Sequence, residues 1–195
     1  MKRKAIPFEV PLGADQVLLH TCCAPCSSAI VECMLQHDVR PTIYYCNPNI
    51  FPLEEYLIRK DECTRYAQAL GLDIVDADYD HEAWKQQMRG MEQEPERGAR
   101  CLSCFKLRLL STARYAHEHG FKVITTTLMS SRWKSLEQIN TAGNYAASQF
   151  DDVTWWDHNW RKGGLSERRL EIIREYGFYN QQYCGCEYSM RRKED

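Results

Sequence analysis

No stretch of this sequence comes near the roughly 18 uninterrupted apolar residues of a membrane-spanning helix, so none is expected. Charge of one sign is also missing: 25 basic against 27 acidic side chains leave a formal charge of -2. That excludes a uniformly basic nucleic-acid coat and leaves room only for a local basic patch. Lys2, Arg3 and Lys4 open the chain, but Pro7 and Glu9 prevent an apolar run after them, so no secretion signal is expected and a cytoplasmic location is. Repeats and low-complexity segments are absent. Glycine is missing where a phosphate cradle would need it, because Thr21 to Cys26 contains none. What is present is ordinary in amount: 195 residues, 44% of them hydrophobic, suffice for a real core. A single domain over 1–195 is expected, with residues 1–15 as an extended N-terminal arm.

Cysteine is the one abundant oddity. Ten in 195 residues is about 5%, below the roughly 8–10% of short secreted disulfide scaffolds. In a reducing compartment such thiols stay free, so clustered ones point to metal or redox chemistry. Cys22, Cys23 and Cys26 form a CCxxC group, Cys101 and Cys104 a CxxC, and Cys184 and Cys186 a CxC. Seven clustered thiols exceed what one tetrahedral ion or one four-iron cluster needs. Cys33 and Cys63 fall on apolar helical faces and read as core, while Cys46 stands at a strand end.

The hydrophobic pattern alternates strand with helix. Strands are read at 17–21, 42–45, 72–76, 123–128 and 153–156; helices at about 26–36, 53–70, 102–119, 135–148 and 166–176, with a short one capped by Asp80. Ser135 and Gln138 have the spacing of a capping box, and Gly71, Gly120 and Gly177 are the stops. This alternation predicts an α/β fold, a parallel sheet with helices on both faces. Cys22 and Cys23 then follow the carboxyl end of the first strand and Cys46 that of the second, the edge where such sheets bind ligands. The CxxC begins a helix, where the dipole and free amides favour thiolate.

Three readings of the thiols compete on residue types alone. Two cysteine pairs hold zinc in many structural sites. A thioredoxin-like CxxC would follow the first strand, which Cys101 does not. Iron–sulfur binding uses Cys22 or Cys23 with Cys101 and Cys104. His20 is read as a buried structural residue or an outer partner of the thiols. Asp78, Tyr79, Asp80, Tyr44, Tyr45 and His158 are the weak candidates for a proton donor.

Several segments together resemble the QueH-type epoxyqueuosine reductases: Leu18 to Pro25, Tyr45 to Ile50, Arg100 to Leu109, Thr125 to Leu128, Lys162 to Gly164 and Tyr183 to Cys186. They run in that family's order over about 17–188. The resemblance implies a fold like the PP-loop nucleotide-binding proteins with cysteines in place of the phosphate loop. It implies a reaction, the last step of queuosine biosynthesis, in which the epoxide oxygen of epoxyqueuosine in tRNA is removed by two electrons. It also implies a [4Fe–4S] cluster, carried over to Cys22, Cys23, Cys101 and Cys104. Cys184 and Cys186 take the place of the family's redox-active pair, able to close a disulfide, or with Cys26 they ligate a second, mononuclear iron. Some members have aspartate at the position of Cys26. Nothing calls for cobalamin, and the electron donor is not identified by sequence. With tRNA as partner, Arg100, Lys106, Arg132, Lys134 and Lys162 become phosphate candidates, as do Arg191, Arg192 and Lys193 near the end. Trp133 and Trp160 become candidates to stack an unpaired base.

Overall fold

A computed structural model of the chain describes residues 8–179 and 181–190. The sheet has five strands, all parallel, in the order β3-β2-β1-β4-β5. These are β1 Gln16–His20, β2 Arg40–Tyr45, β3 Ile74–Asp76, β4 Val123–Thr126 and β5 Thr154–Trp155. The helices are α1 Ala24–Leu35, α2 Leu53–Ala69, α3 His81–Gln87, α4 Ala99–His119, α5 Leu136–Ala147 and α6 Leu165–Tyr176. Two helical groups flank the sheet: α1 packs with α2 and α6, and α4 packs with α5. The α/β expectation is therefore met.

Strand β1 is central, and its Val17, Leu18 and Leu19 are fully buried, which explains why it reads as a continuous apolar run rather than an alternating one. Leu18 sits opposite Thr42 on one side and Ile124 on the other. The strand order reverses at β1: β2 and β3 are added on one side, β4 and β5 on the other. Ligands of open α/β sheets bind at the carboxyl edge of such a switch point. Cys22 follows β1 there, and Thr127 follows β4.

Most element boundaries fall within a residue or two of the pattern, and the departures have local causes. Strand β4 stops at Thr126 because that side chain accepts the Leu128 N–H and turns the chain into a 3-10 segment, Thr127–Ser130. Asp80 does cap α3, accepting from Ala83 N. Ser135 caps α5, but the capping box is only half made: Gln138 accepts nothing back from Ser135 and instead donates Nε2 to the carbonyls of Arg97 and Gly98, tying down the loop that leads to the CxxC. The N-terminal arm, as far as it is described, is not simply extended. It holds a 3-10 turn at Pro11–Gly13, and Phe8 stacks on His37 with ring centroids 4.2 Å apart.

The segment after α6 returns across the sheet edge as a strap. Phe51 N–H donates to Gly185 O at 2.9 Å, and Ile50 and Cys186 form an antiparallel bridge. Arg59, 3% exposed and paired with the buried Glu55, donates to Tyr183 O and Cys184 O. The strap bends at Gly185, where φ is +103° and an added Cβ would lie 2.9 Å from the Ile50 side chain. Glycine alone fits that bend.

Candidate metal centre

The β1–α1 turn brings three thiols together. Cys23 is the extended residue before α1, Pro25 fits the first turn because its missing N–H would have no helical partner, and Cys26 follows one position later. The ligand atoms of Cys22, Cys23 and Cys26 all lie within 4.8 Å of one another, with Cys22 and Cys23 sulfurs 3.8 Å apart. Two thiolates on one tetrahedral ion at about 2.3 Å should be about 3.8 Å apart. Cys26 is thus a full member of this group as well as a helix residue.

Cys101 and Cys104 are not part of that close group. Cys104 is buried against Cys186, Trp84 and Met88. Cys101, one turn earlier, receives the Arg97 N–H at 3.3 Å. Cys184 is exposed on the strap and receives the Lys134 ammonium at 3.0 Å. The seven clustered thiols therefore form a tight triad with the CxxC and CxC pairs as its neighbours. All ten cysteines are free, so the expected disulfide between Cys184 and Cys186 is not formed here. Cys33, Cys46 and Cys63 are buried in the core.

The electrostatics are those of an anionic site. Arg108 is 2% exposed, and its guanidinium donates to Cys46 O and Asn47 Oδ1. Among the described residues no carboxylate bonds either Arg108 or Lys134. A buried cation needs an anionic partner, and the anions within reach are thiolates. Inside the triad, the bonds from Cys23 and Cys26, then Thr127 and Arg108, hold Cys22 well below the ordinary thiol range. Burial first, and then its neighbours, raise Cys23, while Cys26 is pushed up to about 12 by its bond with Cys22. Cys22 is thereby the most acidic of the three, and a bound cation would draw off the protons of the others.

The pairs differ from the expectation for the CxxC. Burial raises Cys101 in spite of its place at a helix start, the Arg97 N–H only partly offsetting it. On the CxC, desolvation by the surrounding protein would raise Cys184 even though the residue reaches the surface, but Lys134 and Arg108 outweigh it and its thiol is lowered; burial pushes Cys186 up to about 12. Cys184 is the more acidic thiol of that pair.

Other candidates are accounted for by their partners. His20 is fully buried, and burial followed by Arg108 lowers it to about 3. Its Nε2 faces Cys46 O at 3.1 Å and its Nδ1 faces Thr126 Oγ1 at 2.6 Å. A carbonyl only accepts, so the proton sits on Nε2 and neither nitrogen is free for metal. Tyr45 donates to Tyr56 O, Tyr79 to Ile50 O, and Asp80 is spent as a cap. Burial pushes Tyr44 up to about 12, and its hydroxyl pairs with Ser111. Burial lowers the half-buried His158. Arg100 faces inward, 2% exposed, and its Nη1 donates to the carbonyls of Met91, Glu92 and Glu94; it shapes the loop before α4 and does not reach phosphate. Lys134 is likewise committed to Cys184. Lys106 lies 5.0 Å from the Tyr145 ring centre, Arg132 lies 5.5 Å from that of Trp133, and Lys162 is exposed. Trp133 is 69% exposed, as a base-stacking surface requires, whereas Trp160 is 1% exposed and belongs to the core. Arg191, Arg192 and Lys193 lie outside the described residues.

Two site residues were not singled out by their sequence signal. Thr127 joins the switch point by accepting the Cys22 N–H at 3.2 Å and donating to its sulfur at 3.4 Å. Gln181 donates to Cys23 Sγ. A cleft of about 400 Å³ opens at the carboxyl ends of β2 and β3, lined by Tyr44, Cys46, Asp78, Trp84, Ser111 and Tyr115 among others; none of the seven clustered thiols lines it.

Comparison with known proteins places this arrangement in a family. Residues 17–192 match the family model described as Epoxyqueuosine reductase QueH. The chain is 52% identical over 184 residues to the epoxyqueuosine reductase QueH of Histophilus somni, covering 94% of this chain and 76% of that protein. The corresponding protein of Haemophilus influenzae is also 52% identical, with 94% and 75% covered, and that of Acinetobacter baylyi is 48% identical, with 98% and 88% covered. A match across nearly the whole described chain, with the thiol triad at the sheet's switch point, means that this chain belongs to the QueH family of epoxyqueuosine reductases.

Proposed function

We propose that the chain is an epoxyqueuosine reductase that binds tRNA, removes the epoxide oxygen of the modified base and leaves a carbon–carbon double bond. The observation that carries this beyond family membership is a cluster of thiols with two cations among them, the buried Arg108 and the Cys184-bound Lys134, that have no carboxylate partner among the described residues. That environment suits thiolates bound to iron, and the soft sulfur donor set suits iron–sulfur chemistry. The spacing of Cys22, Cys23 and Cys26 fits one ion held by three sulfurs, and Cys101 and Cys104 remain the candidate ligands that join Cys22 and Cys23 on a cluster. When bound, such a group supplies electrons one at a time and an acid for oxygen.

The residues of the chain supply the rest. Cys184 and Cys186 hold two protons and two electrons as thiols. The epoxide and two thiols balance against an alkene, one water and one disulfide, after which an external reductant must reopen the pair. Cys184, lowered by Lys134, is the attacking member, and Cys186, held protonated by burial, gives up its proton later. The half-buried Tyr115 is the aromatic side chain at the cleft beside Cys46, while Asp78 and Asp80 on the same wall repel a phosphate backbone. Backbone contacts then fall to Arg132 and Lys162 on the exposed rim.

The deciding assay uses oxygen-free protein, tRNA carrying epoxyqueuosine and a chemical reductant, with conversion to queuosine read by nucleoside analysis. Conversion that requires bound iron is expected, with Cys184→Ser retaining the visible absorbance and losing most turnover. Protein that contains zinc and no iron, or that converts nothing, would remove this reading in favour of a zinc-stabilised RNA-binding module.

A further inference from the structure

Between the 3-10 segment that follows β4 and the start of α5, two arginines hold the four consecutive backbone carbonyls of 131–134. Arg97 donates Nε to Trp133 O at 2.9 Å and Nη2 to Arg132 O at 3.1 Å. Arg161 donates Nη2 to Ser131 O and to Lys134 O. A surface turn can leave its carbonyls to water, so two guanidinium forks on one turn fix it in place. Arg97 itself sits in the left-handed region, with φ +67°, where few residues other than glycine are found. Its N–H donates to Cys101 Sγ and its carbonyl accepts from Gln138 Nε2. One residue thus ties the CxxC to the turn.

What the turn presents is fixed with it. Lys134 donates to Cys184 Sγ at 3.0 Å, and Trp133, its neighbour, is 69% exposed with the Arg132 guanidinium 5.5 Å from its ring centre. The charge around the turn has one sign. Among the described residues no carboxylate pairs with Arg97, Arg132, Lys134 or Arg161, and Glu92 and Glu94 of the neighbouring loop are turned onto the amides of Gly90 and Ala99. Burial first, and then the charge of Arg97, lower Arg161, so the two guanidiniums stand close enough to repel. Cations gathered without a counter-ion favour an anionic partner, and an exposed indole among them favours a flat apolar one. Single-stranded nucleic acid offers both, as phosphates and unstacked bases. We propose that the 131–134 turn is the hook on which the RNA loop docks: Trp133 stacks on an unpaired base beside the Lys134–Cys184 contact, and Arg97 and Arg161 are the positioning residues that hold the hook rigid. The inference rests on the tRNA reading above and names the residues that seat that substrate.

The test measures binding of a fluorescently labelled, unmodified anticodon stem-loop RNA to the full chain purified without oxygen, by anisotropy across a series of salt concentrations. Arg97→Gly suits the left-handed backbone and keeps the N–H to Cys101, so it removes the side chain alone; it should bind about 10-fold more weakly with metal content unchanged. Arg97→Lys keeps the charge but cannot hold two carbonyls in one plane. It should keep the wild-type salt slope and still lose about 10-fold in affinity. Combined with Trp133→Ala, it should cost little more than Trp133→Ala alone, because the grip acts through the indole. Wild-type affinity in Arg97→Lys, or losses that multiply in the double variant, would overturn the proposal. If Arg97→Lys does not fold, Arg161→Lys, which loosens the other fork, is read against the same criteria. Poly-glutamate, which has the charge without the bases, should not displace the RNA at equal charge concentration; displacement would assign the hook to an acidic protein and overturn the proposal. Wild type that binds no RNA at any salt would remove the tRNA reading itself, a result distinct from RNA binding that ignores Arg97 and Trp133.

Discussion

Arg108 is buried with a backbone carbonyl and an amide oxygen as its hydrogen-bond partners, and the nearby thiols act on it through charge. A guanidinium cannot shed its charge, so burial commits it to whatever anion is near. Arg108→Met should therefore weaken metal binding by about 10-fold or more, read by titrating metal-free protein with cobalt(II) without oxygen, and an unchanged affinity would mean that Arg108 serves only Cys46 and Asn47. Surface residues offer a contrast. Asp152 is held at about 2, by Lys122 first and then His117. Because its folded value lies below the ordinary carboxyl value of about 3.9, its contribution to stability is present above that pH and fades as pH falls through about 2. The melting-temperature gap between wild type and Asp152→Asn should be steady above about pH 5, narrow below about pH 4 and shrink in high salt. A gap that widened with acid would contradict the pairing.

At the scale of elements, what decides is close approach. Gly143 in α5 faces Trp155 of β5, and a Cβ there would come within 2.2 Å of the indole. Gly143→Ala should cost about 1–3 kcal/mol of stability through overpacking, measured by urea unfolding, while folded protein in the cold keeps its metal. Much of this level was legible beforehand. The Asp80 cap and the left-handed Gly120 stop are local signals, and they sit where local chemistry demands. Gln138 shows the limit: its spacing from Ser135 is that of a capping box, but the loop before α4 had carbonyls to satisfy, and a long-range partner won the side chain. The same limit applies to Arg100, whose sequence neighbourhood reads as basic rim and whose guanidinium is turned inward by three loop carbonyls.

For the molecule as a whole, the proposed tRNA substrate would have to be held by an acidic-leaning chain, so phosphate contact has to be local. Arg132, Lys162 and the exposed Trp133 make up the described rim. Binding should weaken with added salt. Replacing Arg132 and Lys162 together by Gln should flatten the log–log salt slope by about 2, or less on a single-stranded loop. Trp133→Ala should reduce affinity with the slope unchanged. An unaltered slope in the double variant would move the backbone contacts elsewhere.

The order of strands and helices, the cysteine groupings and the missing phosphate loop are properties of neighbours along the chain. Hydrophobic period, caps and motif spacing act over a few residues, so the sequence by itself determined the α/β class and the thiol chemistry. Which thiols meet was decided only by the tertiary structure. The triad is local to the β1–α1 turn, but Thr127 and Gln181 reach it across more than 100 residues of chain, and Lys134 reaches Cys184 across 50. Their convergence depends on β4 pairing with β1 and on the strap returning over the sheet edge. Burial then set the charge of each group, and burial is a property of packing that no spacing of residues records.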